Sequence, residues 1–169
     1  FYGAQTLRQL LPPAAYSPVA RAGVSWRVPC IRIEDSPRFV WRGALVDVAR
    51  YFLPRADLLR FIDSMAMLKL NVLQLHLTDN QGWRIEIRKY PRLTEWTRKQ
   101  TLERLRAARD KKDRDAGFKG DYYTQDDLRQ IVSYAAERHI TVMPEIEMPG
   151  HEESAIAGWP ELGNADTKM

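Results

Sequence analysis

Asn71-Val72-Leu73-Gln74-Leu75-His76-Leu77 is a short apolar run that breaks into the polar stretch Thr78-Asp79-Asn80-Gln81-Gly82. It has the length and branching of a buried strand, and the polar stretch reads as the loop that leaves it. Upstream, Leu58, Phe61, Ile62 and Met65 recur at i, i+3, i+4 and i+7, with Leu68 extending the same face. That spacing predicts a helix, and Pro54 stands where a first helical turn tolerates proline. Further upstream, Gly43-Ala44-Leu45-Val46-Asp47-Val48 is a second nearly continuous apolar strand, as in a strand covered on both faces. Downstream, Thr124 and Asp127 can form a capping box, with Asp in place of the usual Glu, ahead of Leu128, Ile131, Val132 and Ala135. The third strand is Ile140-Thr141-Val142-Met143-Pro144-Glu145-Ile146, followed by Glu147-Met148-Pro149-Gly150-His151. The resulting order, strand-helix-strand-helix-strand, implies an α/β fold with parallel strands and right-handed crossovers. A doubly wound sheet and a (β/α)8 barrel share this order. The dinucleotide form of the first loses its support because no Gly-x-Gly-x-x-Gly follows a strand. Three strands in a chain of 169 residues would be less than half of a barrel, which takes about 250 residues.

The flanks are less regular. Gln5 to Leu11 reads as a short helix stopped by Pro12-Pro13, Ala14 to Gly23 as a linker, and Arg27 to Arg32 as a further strand. The start Phe1-Tyr2-Gly3 is unlike a signal peptide, and the end, residues 163–169, is polar with no closing element; a piece of a longer chain is expected. With 44% hydrophobic and 28% charged residues, the composition is that of a globular domain with a core. No apolar run approaches the roughly 18 residues of a membrane span. The single cysteine, Cys30, excludes an intrachain disulfide and a thiolate metal cluster. The net charge of +4 is local: residues 97–120 hold nine Lys/Arg against four acids, so they carry +5 and the rest carries −1. This is expected to be a solvated loop or surface helix. Without interleaved aromatic residues it does not argue for nucleic acid.

Ligands of parallel α/β folds sit beyond the carboxyl ends of the strands. Asp79 follows the second strand, Glu145 and Glu147 share parity at the end of the third, and His151 follows it. Three carboxylates and a histidine at one mouth can orient a proton, bind sugar hydroxyls or hold a metal. Each also has a plainer reading: Asp79 turns a loop, Glu145 or Glu147 pairs with an arginine, His151 caps a helix. His76, inside an apolar strand, reads as a satisfied core or supporting histidine, and His139, at the opposite end, as structural. His151-Glu152-Glu153-Ser154-Ala155 is not His-Glu-x-x-His, so spacing gives no metal site.

Three ordered segments resemble the family 20 glycoside hydrolases, the β-N-acetylhexosaminidases. Trp41-Arg42-Gly43-Ala44-Leu45-Val46-Asp47-Val48-Ala49-Arg50-Tyr51-Phe52 is similar to their first barrel strand. Leu75-His76-Leu77-Thr78-Asp79-Asn80-Gln81-Gly82-Trp83-Arg84 resembles the second strand and its loop, and Pro144-Glu145-Ile146-Glu147-Met148-Pro149-Gly150-His151 the third. Tyr122-Tyr123-Thr124 and the helix after it also fit. Phe1-Tyr2-Gly3 with Gln5-Thr6-Leu7 resembles the closing helix of the small domain before the barrel. Asn80 stands where the family often has a second Asp, and Glu147 where it commonly has Asp.

The resemblance implies a partial (β/α)8 TIM barrel, about the first three β/α units, preceded by a remnant of an accessory α+β domain. Residues 1–20 would be that domain's C-terminal helix and linker, and 21–169 the N-terminal portion of the catalytic barrel. It implies an exo-acting enzyme that removes terminal N-acetylglucosamine or N-acetylgalactosamine from glycans or chitin fragments. The substrate's own acetamido oxygen is then the nucleophile. The family's adjacent Asp-Glu catalytic pair follows strand four, which this sequence does not contain. By resemblance, Asp79 orients His151 and His151 contacts that glutamate, Arg42 binds sugar hydroxyls, and Glu147 supports the pocket. No cofactor and no metal are implied. The expected partner is an N-acetylhexosamine-terminated oligosaccharide or glycoconjugate, with no nucleic acid and no membrane span. Oligomeric state stays open, as do periplasmic, extracellular and lysosomal locations. The alternative is a sugar-binding relative that has lost hydrolysis.

Overall fold

The computed structural model describes residues 1–107 and 121–164. Helix α1 (Tyr2–Gln9) and a 3-10 turn (Pro13–Tyr16) precede strand β1 (Gly43–Asp47), helix α2 (Arg55–Met67) and strand β2 (Val72–His76). A two-stranded hairpin, β3 (Thr78–Asp79) with β4 (Gly82–Trp83), leads to α3 (Arg92–Ala107). After it come α4 (Gln125–Ala136), β5 (Thr141–Glu145) and the short α5 (Glu153–Gly158). Strands β1, β2 and β5 form one parallel sheet in that order, β2 in the middle.

The register builds the two faces. Ala44, Leu73 and Val142 lie side by side, as do Val46, Leu75 and Pro144. Leu73 and Leu75 are fully buried in one cluster with Leu58, Ile62, Met65, Ile131 and Ala135 of the two crossover helices. The alternate rows, Leu45–Gln74–Met143 and Asp47–His76–Glu145, belong to the other face. That face is more open: Leu45 is 54% exposed. The sheet therefore has one packed apolar face and one that turns polar toward the carboxyl ends.

Helix α4 starts on the expected capping box. The Asp127 N–H donates to Thr124 Oγ1 at 3.0 Å, and the Thr124 N–H donates to Asp127 Oδ2 at 3.1 Å. Arg55 of α2 pairs with the same carboxylate at 2.6 Å, tying the two crossover helices together. In the full-length protein, Thr124→Ala should cost about 1 kcal/mol, the usual worth of such a cap, read as a lower denaturant midpoint at unchanged slope. An unchanged midpoint would mean that the Arg55 contact alone fixes this helix start.

Three expectations need correction. Arg27 to Arg32 is irregular chain, with no strand to pair with it among the described residues, and Val28 and Ile31 are exposed. The first helix is Tyr2–Gln9 and ends before Leu10 and Leu11; its one leucine, Leu7, is exposed, while Gln5 is buried and Gln9 donates to the Met67 carbonyl at 2.8 Å. Val132 and Leu68 lie on exposed faces, not in the core. Residues 97–107 of the basic segment are helical as part of α3, whereas 108–120 lie outside the described residues. No described helix is long and apolar enough to cross a membrane.

Candidate active site

The carboxyl ends of the three parallel strands carry one row of ionisable groups, Asp47, His76 and Glu145. Asp47 turns the chain as it leaves β1: its Oδ1 accepts the N–H groups of Ala49 and Arg50 at 3.1 and 3.0 Å, an Asx turn. The turn swings Arg50 back over the rim. Its Nη1 meets Asp47 Oδ2 and its Nη2 meets Asp79 Oδ2, both at 2.6 Å. Arg84, itself buried, holds this turn from below by donating Nε and Nη2 to the Ala49 carbonyl at 3.1 and 2.9 Å. Gly82 leaves room for that side chain, since a Cβ there would lie 2.6 Å from the Arg84 guanidinium carbon.

The hairpin β3–β4 sets Asp79 just above the row, only 1% exposed. Four donors surround its carboxylate. His76 Nε2 (2.9 Å) and Arg50 Nη2 face Oδ2; the Asn80 N–H (2.7 Å) and His151 Nδ1 (3.3 Å) face Oδ1. Burial alone would push the Asp79 pKa up. The His76 and Asn80 hydrogen bonds and the charges of Arg50 and His151 outweigh it and hold the carboxyl below its ordinary value. Ser154 of α5 donates to the Asp79 carbonyl at 2.8 Å, so the segment after β5 is fastened to the hairpin. Within that segment His151 takes a left-handed backbone, φ 59°. That conformation is uncommon for a residue other than glycine, and it turns a half-exposed ring toward the mouth. With Nδ1 3.3 Å from Asp79 Oδ1, Nε2 has no hydrogen-bond partner among the described residues.

His76 lies between carboxylates on both sides. Nε2 faces Asp79; Nδ1 lies 3.2 Å from Glu145 Oε1 and 3.7 Å from Glu147 Oε1. Burial would lower its pKa, but the hydrogen bonds to Asp79 and Glu145 raise it above the ordinary histidine value. Glu145 is held low chiefly by Gln74, whose Nε2 donates to Oε2 at 2.7 Å. The Glu147 N–H donates to Thr78 Oγ1 at 2.9 Å. Ligand atoms of His76, Glu145 and Glu147 lie within 4.8 Å of one another, a spacing that could suit a metal ion. His76 Nε2 is taken up by Asp79, and Nδ1 is the ring atom nearest Glu145 and Glu147.

The structure thus brings Asp79, His151 and Glu147 together around His76. It does not bring Arg42 there. Arg42 precedes β1, at the opposite end of the sheet, and its guanidinium serves main-chain carbonyls: Nε donates to Lys69 at 2.8 Å, Nη1 to Phe39 at 2.8 Å and to Val40 at 3.2 Å. It also stacks 5.4 Å above the Tyr2 ring. Arg42 is expected from the resemblance to bind sugar hydroxyls from the start of its strand; its guanidinium is instead occupied by main-chain carbonyls there, away from Asp79 and His151. The arginine at the mouth is Arg50, three residues beyond the carboxyl end of β1, and the rule that places ligands beyond strand ends points to it.

Residues 39–169 match the family described as "Glycosyl hydrolase family 20, catalytic domain". The chain belongs to glycosyl hydrolase family 20. It is 46% identical to a β-hexosaminidase of Porphyromonas gingivalis over 162 residues, which is 96% of this chain and 19% of that protein. It is 42% identical to a β-hexosaminidase of Akkermansia muciniphila, over 95% of this chain and 29% of that one. Among solved structures, the family 20 β-N-acetylhexosaminidase of Streptomyces coelicolor A3(2) superposes with a TM-score of 0.79 at 42% identity, covering 98% of this chain and 30% of that one. The family 20 chain therefore spans less than a third of these relatives.

Proposed function

We propose that the protein carrying this chain is an exo-acting β-N-acetylhexosaminidase and that β1, β2 and β5 are the first three strands of its (β/α)8 barrel. Residues 1–20 are then the end of a preceding accessory domain. One observation carries the reading: the Asp79–His151 pair stands at the carboxyl ends of the parallel strands, with His151 Nε2 unpartnered among the described residues. A hydrolase of this family needs a proton donor for the leaving oxygen and a carboxylate that orients the substrate's acetamido group, whose oxygen attacks the anomeric carbon. Both would come from the adjacent Asp-Glu pair after a fourth strand. His151 Nε2 would meet the proton-donating glutamate, and ionised Asp79 would fix the ring and hold a proton on Nδ1. Glu147 would support the pocket wall from its anchor on Thr78.

In this reading Arg50 binds the terminal sugar. Two of its five N–H donors are spent on Asp47 and Asp79, and the side chain is 48% exposed, so a fork remains for two neighbouring hydroxyls. The experiment is release of aryl alcohol from an aryl N-acetyl-β-D-glucosaminide or galactosaminide by the full-length protein, with binding of a thiazoline analogue measured by calorimetry. Arg50→Lys should weaken the analogue about ten- to a hundredfold, the worth of a charge-assisted contact. Arg42→Lys should leave it nearly unchanged. The reverse order would return the sugar to Arg42. Analogue binding without turnover in the unaltered protein would favour the sugar-binding relative.

A further inference from the structure

We propose that His76 is a positioning residue for the proton relay, a doubly protonated ring that keeps Asp79 ionised and turned so that Oδ1 faces His151. The inference rests on the hexosaminidase reading of this site. Its geometry is a continuous run from the middle of the sheet to the open mouth: Gln74 to Glu145 at 2.7 Å, Glu145 to His76 at 3.2 Å, His76 to Asp79 at 2.9 Å, and Asp79 to His151 at 3.3 Å. A neutral imidazole donates through one nitrogen only. Here both nitrogens face oxygens that can only accept, so the ring satisfies both by carrying two protons. The groups facing it are Asp47 and Arg50 from the end of β1, Asp79 from β3, Glu145 from β5, and Glu147 and His151 from the loop beyond. The hydrogen bonds to Asp79 and Glu145 and the charge of Asp47 favour the charged ring. Its burial makes the link to Asp79 stronger than a surface pair would be. Strand β2 is central and paired on both sides, so the ring sits on a rigid element.

The sign of the effect follows. A fixed cation beside Asp79 favours its ionised form, so removing the cation raises the pH at which Asp79 takes up a proton. The relay needs that carboxylate ionised, and activity is lost as pH falls through its pKa. In the full-length protein, His76→Phe should lower kcat/KM on the aryl glycoside about ten- to a hundredfold. It should also move the acidic limb of the pH profile upward by about one unit. His76→Gln keeps one donor toward Asp79 without the charge; it should recover part of the rate and still show the displaced limb. An unmoved limb in the Gln variant would reduce His76 to a packing role, whether or not the Phe variant folds. An inactive unaltered protein would instead remove the hexosaminidase reading, and His76 is then judged by stability. The raised pKa means that the stabilisation is present below about pH 6.5, the unfolded value, and is lost as pH rises through the folded value. The melting-temperature gap between the unaltered protein and His76→Gln should therefore narrow on going alkaline. A gap independent of pH overturns the charged ring.

Discussion

Asp79→Asn in the full-length protein should lower kcat by about a hundredfold or more, the range spanned by positioned acid–base groups, while KM moves far less. The amide has nearly the carboxylate's shape but replaces one acceptor oxygen with a donor NH2. Every neighbour of Asp79 is a donor: His76 Nε2, Arg50 Nη2, His151 Nδ1 and the Asn80 N–H. Whichever way the amide turns, its NH2 meets two N–H groups head-on, so either the His76–Arg50 side or the His151 side loses its anchor. Loss on the His151 side sets the ring free to choose the wrong tautomer. His151→Ala, which removes the ring outright, should fall by a comparable factor. A sugar-binding role for Asp79 would raise KM instead. Steady-state kinetics on the aryl glycoside separate the two outcomes, and a kcat equal to that of the unaltered protein in both variants removes Asp79 and His151 from the relay.

The parallel order of the fold was readable because its strands are short apolar runs separated by helices with a clear 3.6-residue period. Leu58, Ile62 and Met65, and Ile131 and Ala135, lie where that period puts them. Periodicity also marked residues that the core does not use. Leu7 and Val132 fit a helical stripe, yet they face away because nothing covers their side of the helix. Arg27 to Arg32 has strand composition, but a strand is defined by its partner, and partnering is not written in a single segment.

At the site, placing Asp79, Glu145, Glu147 and His151 together needed only chain order and the rule about strand ends. The arginine needed one further step. Arg42 and Arg50 flank the same strand, and both suit a sugar on charge alone. Only the direction of the strand separates them: the mouth lies at the end where Asp47, His76 and Glu145 stand in register. His76 was harder to read, because a histidine between two leucines looks like core until the register reveals Gln74 and His76 on the face opposite Leu73 and Leu75. The Asp47 turn that aims Arg50 is local, but the buried Arg84 that braces it depends on contacts 35 or more residues apart in sequence, which no local pattern carries.

Expressed by itself, the 169-residue chain should show no aryl glycoside turnover and should fail to form a stable monomer. The first expectation follows from chemistry. By family resemblance the proton donor and the acetamido-orienting carboxylate are an Asp-Glu pair after a fourth strand, and no such segment occurs in these residues. Orientation by Asp79, His151 and Arg50 alone supplies no acid for the leaving oxygen. The second follows from packing, and from a different face than the strand pattern suggests. Leu73 and Leu75 keep their cover, since α2 and α4 bury them completely. The opposite face is the one left bare, with Leu45 54% exposed and Gln74 and Met143 only half-buried. In addition, among the described residues β1 and β5 each have one strand neighbour, so two strand edges present unpaired N–H and C=O groups. Such edges template association, and barrels escape it by closing the ring. The isolated chain should therefore bind a hydrophobic dye, elute as large species and melt without a cooperative transition. A sharp thermal transition in a monomer would show that the two crossover helices suffice to hold three strands. Measurable turnover from that monomer would place the acid among the residues already present, with Glu145 and Glu147 the first to test.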